Sequence, residues 1–267
     1  MDKNIINEPK DTEYIEPEQS ANTLFKFMKK MDYLKEIIKN CAIIPRYNDE
    51  IINYLKITLI GDRIAFPMIC FCDINLTKLK LHAKKYGDFG IGIKKEWAYK
   101  NVDIEPIHYV NPNSNEIIDF RDAFLEALSN SNKDEEKVSN YLSTSLLYMK
   151  PIFGQMHNGE RTDFYCFHDE REWRYIPHID ERNIDLILRD KYLTDAYKMI
   201  SNEALRANEK YWLKFSPEDI SYIIVENEKE AIELAEYIYT LKDIYTRNQI
   251  LGMISKILIL NNLGKDW

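Results

Sequence analysis

Glycine is scarce in this chain of 267 residues: there are eight, well under the roughly 7% usual in proteins. Phosphate-cradling backbone loops need closely spaced glycines at a strand-to-helix turn. Neither GxxxxGKS, GxxxxGKT nor GxGxxG occurs, which excludes the common P-loop and Rossmann-type enzymes. Cysteine is equally sparse. The four, at 41, 70, 72 and 166, have no disulfide-framework spacing, so a reducing, cytoplasmic setting is expected. No apolar run approaches the ~18 residues of a membrane helix. The opening Met1-Asp2-Lys3-Asn4 stays polar, unlike a signal peptide. Positive charge is also short, with 36 basic against 44 acidic side chains and a net charge of −8. That argues against a protein that coats nucleic acid.

What is present is enough apolar mass, 45% of residues, to build a sizeable core. Residues 1–20 carry six acids against two lysines, −4 in all, and show almost no apolar periodicity. They read as a loosely ordered acidic tail. Residues 21–267 read as one α+β domain, with 180–214 as a helical insertion or outer layer. Leu24–Met28 predicts a strand. Asp32 then reads as a cap for a helix whose stripe is Leu34, Ile37, Ile38 and Cys41, ended by Pro45. Ile64–Phe71 is nearly uniformly apolar, hence a buried strand, and Asp73 precedes a second helix through Leu76, Leu79 and His82. The lysines at 78, 80, 84, 85, 94, 95 and 100 make one basic stretch, read first as a solvated face. The alternating glycines of Phe89-Gly90-Ile91-Gly92-Ile93 predict a strand approached closely by another backbone or by a ligand. Ile107–Val110 is a further strand and 116–149 a helical region broken at 129–137. After an irregular 151–169, residues 170–177 alternate as a strand. Ile220–Val225, a helix over 228–242 and an apolar run at 254–260 complete the chain.

Cys70-x-Cys72 with Cys166-x-His168 could supply four zinc ligands. The two cysteines lie inside an apolar run, and buried thiols in a strand are the favoured reading, so no metal is expected. The alternation at 170–175 is more informative. Residues two apart in a strand share a face, which puts Glu170, Glu172 and Arg174 on one side and Arg171, Trp173 and Tyr175 on the other. Two carboxylates at the mouth of a strand can divide acid–base and electrostatic work. The alternative is a salt-bridged edge strand in which Arg174 neutralises Glu172. His82 and His108 read as core or boundary residues. His157 and His168, flanking the carboxylates, are better placed for a functional role.

The blocks Phe66–Ile74, His82 with Tyr86–Ala98, Asp169–Tyr175 and Pro217–Val225 resemble, in order, the bacterial abortive-infection family AbiGi. That resemblance implies a component of a two-gene phage-defence locus, antitoxin-like, whose partner is the toxin-like protein AbiGii. A second resemblance concerns fold. The opening strand, the strand ending Cys70-Phe71-Cys72-Asp73, the Gly-Ile-Gly-Ile strand and the late Glu-x-Glu strand resemble the ADP-ribosyltransferase superfamily. The implied architecture is a mixed sheet with flanking helices and an added helical segment. The implied chemistry is cleavage of NAD with transfer of ADP-ribose to an acceptor macromolecule. Glu172 would bond the ribose 2′-hydroxyl and stabilise the oxocarbenium-like state, and Glu170 would orient or deprotonate the acceptor chosen by the 151–169 loop. Lys26 would stand where the superfamily brings an Arg or His to NAD, and Cys70 and Cys72 where it has hydroxyl residues. Phe27, Cys72 and Tyr86 would join Lys26 in contacting the cofactor. The competing expectation is a non-catalytic antitoxin or regulatory module that binds its partner toxin or, less favoured by net charge, DNA.

Overall fold

A computed structural model describes residues 16–18, 20–100, 103–129, 136–158, 161–180 and 184–263. Its strands are Thr23–Met28 (β1), Ala42–Ile43 (β2), Arg46–Ile51 (β3), Arg63–Cys72 (β4), Phe89–Lys94 (β5), Ile104–Pro106 (β6) and His108–Val110 (β7). Met149–Pro151 (β8), Phe153–Asn158 (β9), Arg161–Cys166 (β10), Glu172–Tyr175 (β11), Leu213–Lys214 (β12), Ile220–Val225 (β13) and Ile257–Ile259 (β14) follow. The helices are Met31–Asn40 (α1), Leu79–Tyr86 (α2), Lys95–Lys100 (α3), Asn115–Ser129 (α4), Glu136–Leu147 (α5), Asp195–Ala207 (α6), Glu228–Thr240 (α7) and Arg247–Ile254 (α8). The architecture is mixed α+β. Its main sheet has the order β14-β13-β5-β1-β4-β11-β6, with β3 added to β4. Only β13 and β14 pair in parallel within it.

Helices cover both faces. Leu24 and Met28 of β1 pack with Leu34, Ile37 and Ile38 of α1 and with Leu234 and Ile238 of α7. The alternate residues Phe25 and Phe27 turn the other way, against Leu79 and Ala83 of α2. α4 and α5 cover Phe66 and Met68 of β4, and α6 closes over Tyr47 and Ala65. Pro67 sits inside β4 without breaking it. Ala65 turns its N–H to Leu188, away from β3, and the donor that Pro67 lacks would point to that same edge, where no ladder continues.

The glycine strand is approached closely by β1, through its side chains and, at Gly90, through the Lys26 carbonyl oxygen as well. Gly92 lies opposite Phe25, and a Cβ there would come 2.7 Å from the Thr23 methyl and 2.9 Å from the Phe25 ring. Other expectations need correcting. α1 is entered at Lys30, with Asp32 inside its first turn, and it ends at Asn40 well before Pro45. Cys41 stops it by taking a left-handed conformation and donating its N–H to the Ile37 and Ile38 carbonyls. Asp73, which precedes the second helix as expected, is buried in an ion pair with Lys95 (2.7 Å). Lys95, 3% exposed, therefore leaves the solvated face assigned to the basic stretch. The segment 151–169, expected to be irregular, contains a β9–β10 hairpin with Phe153 opposite Cys166. Among the described residues of 180–214 the one α-helix is α6, capped by Thr194. α8, with its Thr246–Gln249 capping box, was not anticipated. The acidic-tail expectation falls almost wholly outside the described residues.

Candidate functional site

β1, β4 and β11 lie side by side, and one row crosses all three: Phe25 opposite Cys72, and Cys72 opposite Glu172. β1 and β4 meet only at that registered pair. Beyond it β1 stays with β5, while the N-terminal half of β4 pairs with β3. Where the strands part, a cavity of about 310 Å³ opens, bordered by Lys26, Phe27, Cys70, Cys72, Glu170 and Glu172. His82, Tyr86, Lys150 and Glu50 also line it. Every position expected to contact a cofactor or act on a substrate thus reaches one place. Glu170 does so by a different route from the one expected. It belongs to the 3-10 turn Phe167–Glu170, and Arg171 follows with φ 44°, so the shared strand face begins only at Glu172.

Glu172 is fixed from every side. Its Oε1 accepts from Arg174 Nε at 2.6 Å and its Oε2 from Lys150 Nζ at 2.8 Å. Its N–H donates to the Tyr109 hydroxyl at 2.8 Å. Burial favours the neutral acid, but Arg174 and Lys150 outweigh it and hold the carboxyl well below the usual range. Arg174, fully buried, also donates to the Leu147 carbonyl (2.6 Å) and to Glu50 (2.9 Å). Glu170 differs. Burial raises its pKa against the opposing pull of Lys150, which stands 3.6 Å away, and the Tyr86 hydroxyl donates to it. The two carboxyls are therefore pushed apart: Glu172 is a fixed anion, while Glu170 is the one able to carry a proton.

The remaining groups set limits on the chemistry. Burial raises the pKa of both thiols, aided by Glu172 at Cys70 and by Glu170 at Cys72. They stay protonated and are poor nucleophiles. His82, whose ring lies tilted against those of Phe27 (5.4 Å) and Tyr86 (4.4 Å), is pushed down to about 4 by burial and by Lys85, so it is neutral at pH 7. Lys26 has no hydrogen bond or ion pair among the described residues, and burial lowers its pKa.

A wider cleft of about 670 Å³ adjoins at His82, lined by Lys78, Lys85, Tyr165, His168 and Arg171 among others. His168 is exposed there, edge-on to Tyr109 at 5.1 Å. The side chain of His157 lies outside the described residues. His108 is remote from the cavity, against Glu116. Sequence reasoning missed Lys150 and Glu50. Lys150 arrives through the parallel β7–β8 ladder, and no local pattern announces it. Among the described residues no helix is long and apolar enough to cross a membrane.

The chain matches a family model over residues 41–226, described as the abortive phage resistance protein AbiGi, antitoxin. The matched span includes β4, β11 and most of the cavity lining. It is also similar to the abortive phage resistance protein AbiGi of Lactococcus lactis subsp. cremoris, 30% identical over 249 residues, covering 85% of this chain and all of that protein. No solved structure matches it.

Proposed function

This chain belongs to the AbiGi family of abortive phage resistance proteins, and from that premise we propose that it is the antitoxin-like member of a phage-defence pair. Its partner would be a toxin-like protein of the same locus, which it restrains by binding. The observation that carries this reading is the antitoxin description of a family model that spans most of the chain. Co-expression with the neighbouring gene tests it. Growth arrest caused by that gene alone should be relieved when this chain is present, and the two proteins should co-purify. Arrest that persists unchanged would sink the reading.

A second reading is supported by one specific observation, the gathering of Lys26, Cys72, Tyr86, Glu170 and Glu172 at a single cavity. In that reading the scaffold is ADP-ribosyltransferase-like and the cavity takes NAD. Glu172, a fixed anion, would stabilise positive charge on the ribose as nicotinamide leaves. Glu170 would exchange the acceptor proton, and the β9–β10 hairpin would face the acceptor. Both Glu172 oxygens already hold a cation, so a ribose hydroxyl must share an occupied oxygen. Purified protein with NAD and cell lysate should release nicotinamide, with at least a tenfold loss in Glu172→Gln. The absence of both release and calorimetric NAD binding would refute the transferase.

A further inference from the structure

Lys26 borders two cavities. By strand alternation it shares a face with Leu24 and Met28, toward α1, and not with Phe25 and Phe27. Because β1 and β4 part beyond Phe25 and Cys72, it reaches both the Glu172 cavity and a separate one of about 260 Å³ beside α1 and β3. The lining of this second cavity is chemically one-sided. It includes Lys26, Lys29, Arg46 and Arg206, with Glu36 as its acid. Glu36 is already committed, since both terminal nitrogens of Arg206 bond to it. Arg46 makes no ion pair among the described residues. Its guanidinium lies 5.8 Å from the centre of the Tyr33 ring. Lys26 is likewise without an ionic partner. Lys29, on the same lining, also makes no ion pair among the described residues, so three cations at this concavity lack an ionic partner in a chain of net charge −8.

The rest of the lining is apolar: Phe27, Ile37 and Ile43 among others. Tyr33, 38% exposed, lines it too. Three unpaired cations call for more than one negative charge, and a phosphate monoester carries roughly −1.5 to −2 at pH 7 with three acceptor oxygens. An arginine fork meets two of those oxygens at once. A carboxylate, with a single charge, would compensate only one of the three cations. We propose that this cavity binds a phosphate monoester with an aromatic body, Lys26 and Arg46 neutralising the phosphate and Tyr33 flanking the ring. The site does not depend on the Glu172 cavity binding NAD.

Calorimetric titration of the full chain with AMP, adenosine and inorganic phosphate tests this. AMP should bind saturably, and adenosine and phosphate should each bind at least tenfold more weakly. Arg46 is exposed, so Arg46→Gln should fold as the parent does while losing at least tenfold in AMP affinity. Glu170→Gln, which alters the other cavity, should bind AMP unchanged. The proposal is overturned by no saturable AMP binding at millimolar concentration, by equal binding to Arg46→Gln, or by binding of inorganic phosphate as tight as that of AMP. A loss in Glu170→Gln with retention in Arg46→Gln also overturns it, by placing AMP in the Glu172 cavity. Failure to release nicotinamide from NAD bears only on the transferase reading.

Discussion

Replacing Arg174 with methionine is expected to cost about 3–5 kcal/mol of folding stability, the range for breaking a buried ion pair from one side. Arg174 is fully buried, and it serves Glu172, Glu50 and the Leu147 carbonyl together. Methionine fills comparable volume but leaves two carboxylates facing one another with only Lys150 beside them. Against a total stability on the order of 5–15 kcal/mol, this is a large fraction, and urea denaturation at pH 7–8 would measure it. The pH dependence of the deficit follows from the charges. In the parent, Glu172 has a depressed pKa, so its contribution is present above the unfolded carboxyl value of about 4.3 and is lost as pH falls through the folded value. In the variant the unpaired carboxylates favour protonation. Their folded pKa rises, and the penalty is felt as pH climbs through it. The deficit should therefore be greatest at pH 7–8 and shrink near pH 5. A deficit below about 1 kcal/mol at every pH would contradict the network described.

Replacing Gly87 with alanine is expected to cost about 3 kcal/mol or more. Gly87 closes α2 at φ 111°, a conformation that side chains rarely adopt, and an added Cβ would lie 2.3 Å from the Met28 carbonyl oxygen. The neighbour is backbone of β1, which cannot step aside without disturbing the strand that carries Lys26. Gly252 gives the contrast. It lies in α8 with nothing within 4 Å of an added Cβ, so Gly252→Ala should stabilise by about 0.5–1 kcal/mol. Measured side by side, the two substitutions should shift the urea midpoint in opposite directions. A shift of the same sign and size in both would remove the conformational argument.

The parts of the fold that the sequence disclosed are those whose cause is local. The apolar runs of β1, β4 and β13 and the stripe of α1 each state their own burial, and the Glu-Arg-Glu-Trp-Arg alternation located β11 within two residues. The errors arose where distant chain decides. Lys95 looks like its neighbouring lysines until Asp73 takes it into the interior. Glu170 looks like a strand residue until Arg171 turns the backbone. Lys150 has no sequence mark at all, because its meaning comes from a carboxylate 22 positions later. The β9–β10 hairpin escaped notice because the polar residues of both strands hid the pairing.

The position of β11 bears on how the chain acquires this structure. The strand is central, between β4 and β6, both of which precede it in the chain, and residue 172 closes on residue 72. Neither the cavity nor its ion-pair network can form until the chain has been synthesised past Tyr175. Closure over so long a span is slow, because loop entropy is lost before any contact rewards it. Until then the edge of β4 that β11 will cover, Ile69-Cys70-Phe71-Cys72, stays open as a template for wrong pairing. Closure of the sheet thus waits on two interior strands made late, β11 and then β13, so translation and assembly set how quickly the folded chain becomes available.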